Sequence, residues 1–430
     1  MKLSPSRVAA FEILCRIDAR HEFSSSLLND SELKLSDKDS RLCHELVLGT
    51  LRRQILLDRY IDALTQSRKL DAEVRIILRL ALHQLYFLDK IPDHAIVNEA
   101  VGLTGRARKS SARGLVNAVL RSAIRKKPEV VFEDDLERLS IETSHPKWLL
   151  EKWSCQFGFE RARDLAIANN QEPKLYFRKT PVSINTSMPL VGKKFDRVPG
   201  CYIAEAISVE LRRLVEDGMI YIQDAGSQLV ANAIDIDSGE RFLDVCASPG
   251  GKTMAVVTNA LSNDQQNIGF FAGDISSRRI KILADTIARQ QGNSKIVQYD
   301  ASVSMPFEES SFDHVLIDAP CTGTGTIRHN PEIRYFIQPS DFGRMQQTQI
   351  AILNNAADIV KKGGRLIYST CSLEREENED VCEHFMNERS NFRQLSPRIP
   401  ERFVTKDGYG RTFPPHDDID GFFIATFERI

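Results

Sequence analysis

Three short segments of this 430-residue chain hold side chains suited to group transfer: LDVCASPGGKT (243–253), LIDAPCTGTG (316–325) and IYSTCSLEREEN (367–378). Two of them place a cysteine at the polar corner that ends an apolar run. Cys321 follows Pro320 and stands three residues after Asp318, and Cys371 follows Thr370. A thiolate is a strong nucleophile, and a nearby carboxylate can manage protons. Substitution at C5 of cytosine needs such a set. C5 is unreactive until a thiolate adds to C6 and makes it enamine-like, while an acid near N3 accommodates the developing charge. A base must then remove the C5 proton so that elimination frees the enzyme. The residues alone leave open which cysteine attacks, because both emerge beside a carboxylate.

The remaining segment, LDVCASPGGKT, breaks from a strand into a glycine turn and then a helix. Gly250 and Gly251 lack Cβ atoms, so the backbone there can approach a ligand closely. GxGxxG is absent, which argues against a dinucleotide. A phosphate-binding GxxxxGK[ST] fits at Gly251, Lys252 and Thr253 but has Cys246 at its first glycine position. An adenosyl ligand without phosphates is the third option. Asp274, 24 residues after Gly250, stands where a carboxylate takes ribose hydroxyls, and Asp300 and Asp318 end the next two apolar runs. Any one of these aspartates could simply cap a following helix. Three together disfavour a phosphate and suit the cationic sulfonium of S-adenosylmethionine.

These segments need a scaffold. From about residue 235, short apolar runs (RFLDVCA, IGFFAGD, KIVQYD, FDHVLIDAP, GGRLIYST) alternate with helical stretches, and GFFIATFER adds a last strand. The alternation predicts a parallel, doubly wound α/β sheet whose ligands bind at the carboxyl ends of its strands. Asp244 is expected inside the first strand. The first 130 residues read as helix throughout, with RIILRLALHQLYFL (75–88) apolar nearly all round like a central bundle helix. Between these regions, HPKWLLEKWSCQFG suggests a Pro-started helix, KLYFRKTPVSIN a strand, and residues 189–200 a loop.

Charge is near balance, 57 Lys+Arg against 59 Asp+Glu, but unevenly spread. Residues 1–130 hold 23 basic and 16 acidic side chains, and residues 106–127 hold eight basic and no acidic ones. Such a run repels itself unless an anion visits, so Arg106, Arg108, Lys109, Arg113, Arg121 and Arg125 are expected to meet RNA. No apolar stretch is long enough for a membrane span, and the charged first 20 residues do not read as a signal peptide. Eight scattered cysteines without CxxC pairs suggest free thiols in a reducing cytoplasm and no metal site. Cys15, Cys43, Cys155, Cys201 and Cys382 are expected to be buried small hydrophobes.

LDVCASPGGKT, DAPCTGTGTIRHNPEIR and YSTCSLEREENE resemble the motifs of RNA cytosine-5 methyltransferases, and the whole chain resembles the bacterial Sun/RsmB family. LRLALHQLYFLDKIPDHAIVNEAV and ARGLVNAVLR are similar to its NusB-type helical domain. QDAGSQLVANAI resembles the segment entering its catalytic domain, and TFPPHDDIDGFF its closing motif. The resemblance implies three parts: a helical NusB-like RNA-binding domain (1–138), a small α+β connecting domain (139–230) and a Rossmann-like methyltransferase domain (231–430). It implies S-adenosylmethionine as cofactor, held by Cys246, Ala247, Ser248, Pro249, Gly250, Gly251, Lys252, Asp274, Asp300 and Asp318. It further implies a catalytic Asp318, Cys371 as nucleophile and Cys321 as second cysteine, acting on small-subunit ribosomal RNA. Ser248 departs from a common Ala. A monomer is expected. The competing classes are an RNA-binding factor with a vestigial enzyme fold, opposed by the intact Asp318, Cys321 and Cys371, and an NTPase, opposed by Cys246.

Overall fold

Among the described residues, ten helices open the chain: α1 Pro5–Arg20, α2 Ser24–Glu32, α3 Asp37–Arg52, α4 Gln54–Thr65, α5 Ala72–Phe87, α6 Asp93–Arg106, α7 Arg113–Arg125, α8 Asp135–Thr143, α9 Lys147–Phe157 and α10 Phe159–Ala168. Their starts are chemically marked. The Ser36 hydroxyl accepts from Asp39 N–H at 3.2 Å, and the Asp134 carboxylate from Glu137 N–H at 2.6 Å, each satisfying a backbone donor left over at a helix start. Helix α5 is buried continuously from Ile76 to Gln84, as its all-round apolar sequence requires. Helix α7 turns Val116, Val119, Leu120 and Ala123 into the same core and leaves its arginines outside. The computed structural model describes residues 3–32, 35–184, 186 and 191–430.

The chain packs as two units, residues 1–172 with 327–336, and residues 173–326 with 337–430. The inserted decapeptide belongs to the helical unit through fully buried Arg334. Its guanidinium donates to Thr143 O at 3.0 Å, Asn170 Oδ1 at 2.9 Å and Pro331 O at 3.1 Å. Glu332 accepts from Ser24 N–H at 2.6 Å and the Ser24 hydroxyl at 3.0 Å, and the Tyr335 hydroxyl donates to Leu51 O at 2.7 Å.

Among its described residues, the second unit holds two sheets. The smaller has the order β2-β3-β1-β4, formed by β1 Leu175–Lys179, β2 Lys193–Lys194, β3 Cys201–Ala204 and β4 Ile220–Ile222. The expected loop at 189–200 thus contains a short strand, since Lys193 and Lys194 pair with Ile203 and Tyr202; residues 189 and 190, and Asn185 of the expected strand segment, lie outside the described residues. Helices α11 Val209–Glu216 and α12 Ala225–Asn232 lead into the larger sheet.

That sheet comprises β5 Arg241–Asp244, β6 Gly269–Asp274, β7 Ser294–Gln298, β8 Phe312–Asp318, β9 Val360–Thr370, β10 Phe392–Leu395, β11 Gly410–Arg411 and β12 Phe423–Arg429. Its order is β10-β12-β9-β8-β5-β6-β7, with β11 also on β12. The five expected strands are parallel, with α13 Gly251–Ser262 and α14 Ser277–Arg289 as crossovers. The sixth, β12, runs antiparallel to β9 and brings antiparallel β10 with it, so the sheet is mixed rather than wholly parallel. Two boundaries also move. Asp244 closes β5 instead of lying inside it, and Asp300 stands two residues beyond the end of β7.

Candidate active site

Parallel pairing sets the carboxyl ends of β7, β6, β5, β8 and β9 side by side, and every residue marked by the motifs lies at or just past one of them. At the end of β5 the backbone turns through Gly250, whose φ is +101°. A Cβ there would stand 2.9 Å from Leu283 Cδ1 on α14, and one on Gly251 3.0 Å from Tyr221 Cε1. Both glycines are therefore required by conformation or close approach. The loop is tied by Ala247 N–H to Gly273 O at 2.8 Å and Gly250 N–H to Ala247 O at 2.6 Å. From beneath, buried Arg178 on β1 donates to Gly251 O at 2.9 Å and Gln223 Oε1 at 2.8 Å. Burial pulls this guanidinium down to about 10, yet it remains charged at neutral pH.

Asp274, 3% exposed, accepts from Ser248 N–H at 3.3 Å and pairs with Arg279 Nε at 3.2 Å. It also accepts from Ser276 N–H at 3.3 Å, so the capping role that the sequence offered as an alternative is present too. Asp300 accepts from the Ser302 N–H at 2.9 Å and hydroxyl at 2.6 Å, a local cap. The Ser248 hydroxyl turns away to Arg279 O at 3.0 Å. Asp244 accepts from the Thr253 hydroxyl at 2.7 Å while its other oxygen is buried without a partner. Burial pushes its carboxyl up to about 7, against the stabilising Thr253 hydrogen bond. Cys246 is likewise pushed up, by burial and then by Asp244 and Asp274, so it contributes loop backbone and not a thiolate. A cradle of Cβ-free backbone beside carboxylates at adjoining strand ends fits an adenosyl sulfonium and offers little to a polyphosphate.

Lys252 opens α13 and donates to Asp318 Oδ2 at 2.7 Å. Burial works against its charge, but Asp318, and Cys371 when ionised, more than offset that, and its pKa rises. The Ser369 hydroxyl, opposite Asp318 across the β8–β9 ladder, donates to Asp318 Oδ1 at 3.0 Å. Just beyond, the Cys321 and Cys371 sulfurs are 3.3 Å apart. The Cys321 thiol is held well above its ordinary range, first by its hydrogen bond to Cys371 and then by burial. Cys321 therefore keeps its proton while facing Cys371. The two corners are clamped by Gly325, whose N–H donates to Cys371 O and whose O accepts from Gly421 N–H, both at 2.9 Å. A Cβ on Gly325 would lie 2.1 Å from Gly421 O, and one on Gly421 3.0 Å from Gly325 Cα, which explains the second glycine of TGTG and the glycine of DGFF.

Sequence reasoning passed over Ser369, Glu377 and Arg178. Glu377 stood within a quoted motif, and its spacing from Cys371 was the available signal. Of the other cysteines, Cys43, Cys201 and Cys382 are buried as expected. Cys15 is only half-buried and Cys155 is exposed, because they fall beside the apolar stripes of α1 and α9 and not within them.

In the helical unit, the run at 106–127 is less unpaired than its sequence suggests. Arg106 pairs with Glu12 at 2.5 Å and Lys109 with Asp71 at 3.0 Å, both acids coming from distant helices. Lys127 lies over the Tyr86 ring, 5.1 Å from its centroid. Arg113, Arg121 and Arg125 remain exposed, and lie along one face of α7 at spacings of eight and four residues.

A family profile described as 16S rRNA methyltransferase RsmB/F matches residues 231–428, and a NusB family profile matches residues 4–125. The chain is 33% identical, over the full length of both proteins, to a probable ribosomal RNA small subunit methyltransferase B of Bacillus subtilis. It is 32% identical, over 99% of each chain, to a protein of the same description from Synechocystis. The crystal structure of PH0851 covers all of both chains with a TM-score of 0.83 at 24% identity, a likeness of fold.

Proposed function

Because this chain belongs to the RsmB/F family of 16S ribosomal RNA methyltransferases, we propose that it methylates C5 of a cytosine in small-subunit ribosomal RNA through a covalent cysteine–C6 adduct. S-adenosylmethionine supplies, when bound, an electrophilic methyl group on a sulfonium. The observation that carries the finer reading is the pair of sulfurs 3.3 Å apart beside the Lys252–Asp318 ion pair. Two thiols in contact serve a mechanism that needs one to attack and the other to help release.

The backbone of residues 246–251 and the Asp274 carboxylate bind and orient the cofactor. Asp318 faces the base, where a carboxylate suits the N4 amino group of cytosine and rejects the O4 of uracil. Lys252 pairs with that carboxylate and supplies the positive end of the pair for charge developing toward N3. The Cys371 thiolate forms the S–C6 bond, and its electron pair moves through the ring to make C5 nucleophilic. After methylation, the C5 proton passes to water, with Cys321 assisting its removal and release by hydrogen-bonding, through its retained thiol proton, to the departing Cys371 sulfur. The C5–H electrons restore the double bond, and the S–C6 bond breaks to return the Cys371 thiolate. Within this proposal, residues 1–138 bind RNA, 139–230 connect and 231–430 carry the chemistry, in the cytoplasm.

The test is methyl transfer from labelled S-adenosylmethionine to 16S rRNA, followed by nucleoside analysis. All label should appear in 5-methylcytidine. Label in N4-methylcytidine or in a uridine derivative would overturn the C5 assignment. A dead enzyme that still bound RNA would favour the vestigial alternative.

A further inference from the structure

Glu377 is fully buried, and among the described residues no cation pairs with it. Its Oε1 accepts from Thr322 N–H at 2.9 Å and Gln349 Nε2 at 3.2 Å; its Oε2 accepts from the Thr322 hydroxyl at 2.5 Å and from the Ser372 hydroxyl. Burial pushes its carboxyl up, while these four donors favour the ionised form. Its own backbone is pinned by the Tyr368 hydroxyl donating to Glu377 O at 2.6 Å. Asn378 next to it donates to Ser372 O at 2.9 Å. A buried carboxylate that knits loops together is ordinarily part of a core. What sets this one apart is its choice of partners. Thr322 is the residue after Cys321, and Ser372 is the residue after Cys371.

We propose that Glu377 is the positioning residue that holds Cys321 and Cys371 as a contacting pair, gripping from one carboxylate the residue that follows each. This deepens the proposed function and rests on both thiols taking part in it. The grip is geometric. Thr322 is held through both its N–H and its hydroxyl, so the Cys321 corner cannot rotate away, and Ser372 brings the Cys371 corner to the same anchor. Releasing either corner by about 1 Å takes a thiol out of reach of its step, a displacement that costs on the order of 100-fold in rate.

The test reads the pair directly, in the full-length protein without RNA. Diamide oxidises two neighbouring thiols to a disulfide: both S–H hydrogens pass to its N=N bond, giving the hydrazine, and the S–S bond forms. The Cys321–Cys371 peptide is then quantified by mass spectrometry under non-reducing conditions. Glu377→Asp retains the charge but withdraws the carboxylate by one C–C bond, ~1.5 Å. It should slow disulfide closure ~10-fold or more and lower kcat for 16S rRNA methylation by roughly 10- to 100-fold, with the KM for S-adenosylmethionine unchanged within ~2-fold. Glu377→Gln has the length to reach both corners, and the hydroxyls can turn to meet its amide. It should recover closure and kcat to within ~3-fold of the native protein. Closure at the native rate in Glu377→Asp would overturn the proposal, and so would a Glu377→Gln variant as impaired as the aspartate. Closure needs no RNA and no assignment of roles, so a failure of the adduct mechanism shows separately, as a native protein that closes its disulfide but forms no cysteine–RNA bond.

Discussion

Asp274 and Asp244 end neighbouring strands and are put to opposite uses. Asp274 is engaged by the Ser248 and Ser276 amides and by Arg279, and in the proposed function its carboxylate takes the ribose hydroxyls. Replacing it with Ala should remove roughly 1–3 kcal/mol of charge-assisted hydrogen bonding. Calorimetric affinity for S-adenosylmethionine should fall ~5- to 150-fold. RNA affinity should not change, and an unaltered cofactor affinity would leave Asp274 only its capping role. Asp244 is instead buried with one oxygen unpartnered, and its carboxyl lies at about 7 against an ordinary 3.8. A carboxyl raised by folding binds its proton more tightly in the native state. Its contribution is therefore complete below pH ~3.8 and is lost as pH rises toward ~7. Between pH 5 and 7 the native protein should lose on the order of 2 kcal/mol relative to Asp244→Asn, seen as a native thermal midpoint that falls against the variant's. Parallel midpoints across that range would show that Asp244 is already ionised. The aspartates, glycines and two cysteines were legible because each sits at a fixed offset from a strand end. Ser369, Glu377 and Arg178 were not, because these partners are set by strand pairing and loop return across 28 to 112 residues.

Helix α7 shows how far an element can be read from its own residues. Leu115, Val119 and Ala123 fall at helical spacing; Val119 and Ala123 are buried together with Val116 and Leu120, Leu115 is only half-buried, and Arg113, Arg121 and Arg125 are left exposed. Those three have no ion-pair partner among the described residues. Reversing them to Glu should weaken RNA binding and flatten its dependence on salt, since each lost phosphate contact releases about one counterion fewer. Turnover at saturating RNA should stay within ~2-fold. An unchanged slope in filter-binding titrations between 50 and 200 mM salt would make the helix face merely solvated. The acidic partners of Arg106 and Lys109 were hidden from a local reading, because Glu12 and Asp71 arrive from α1 and from the start of α5. The direction of β12 was hidden for a similar reason: alternation reveals that a strand exists, but the returning connection decides which way it runs. Strands β10 and β11, four and two residues long, carry too short a pattern to register.

At the scale of the whole molecule, the segment between the two cysteine corners leaves its own unit, and nothing in the composition of IRHNPEIRYF announces that. Arg334, with burial pulling it down to about 10, is held wholly by neutral acceptors of the helical unit. Arg334→Met should strand several buried carbonyls and cost roughly 1–3 kcal/mol. Both tryptophans, Trp148 and Trp153, lie on α9 in that unit, so the loss should appear as an earlier denaturant midpoint by tryptophan fluorescence. A midpoint equal to that of the native protein would mean that the segment is not part of the unit's core. The central claim, however, is the covalent path, and it is tested most directly by trapping the adduct. Full-length protein is mixed with 16S rRNA and S-adenosylmethionine and run on a denaturing gel. Cys321→Ala should attack, transfer methyl and stall, leaving a protein–RNA complex that survives denaturation and maps to Cys371. Cys371→Ala should give no complex and no methylation. A complex with Cys371→Ala that is absent from Cys321→Ala would contradict the assignment, and no complex with either would contradict the covalent path itself.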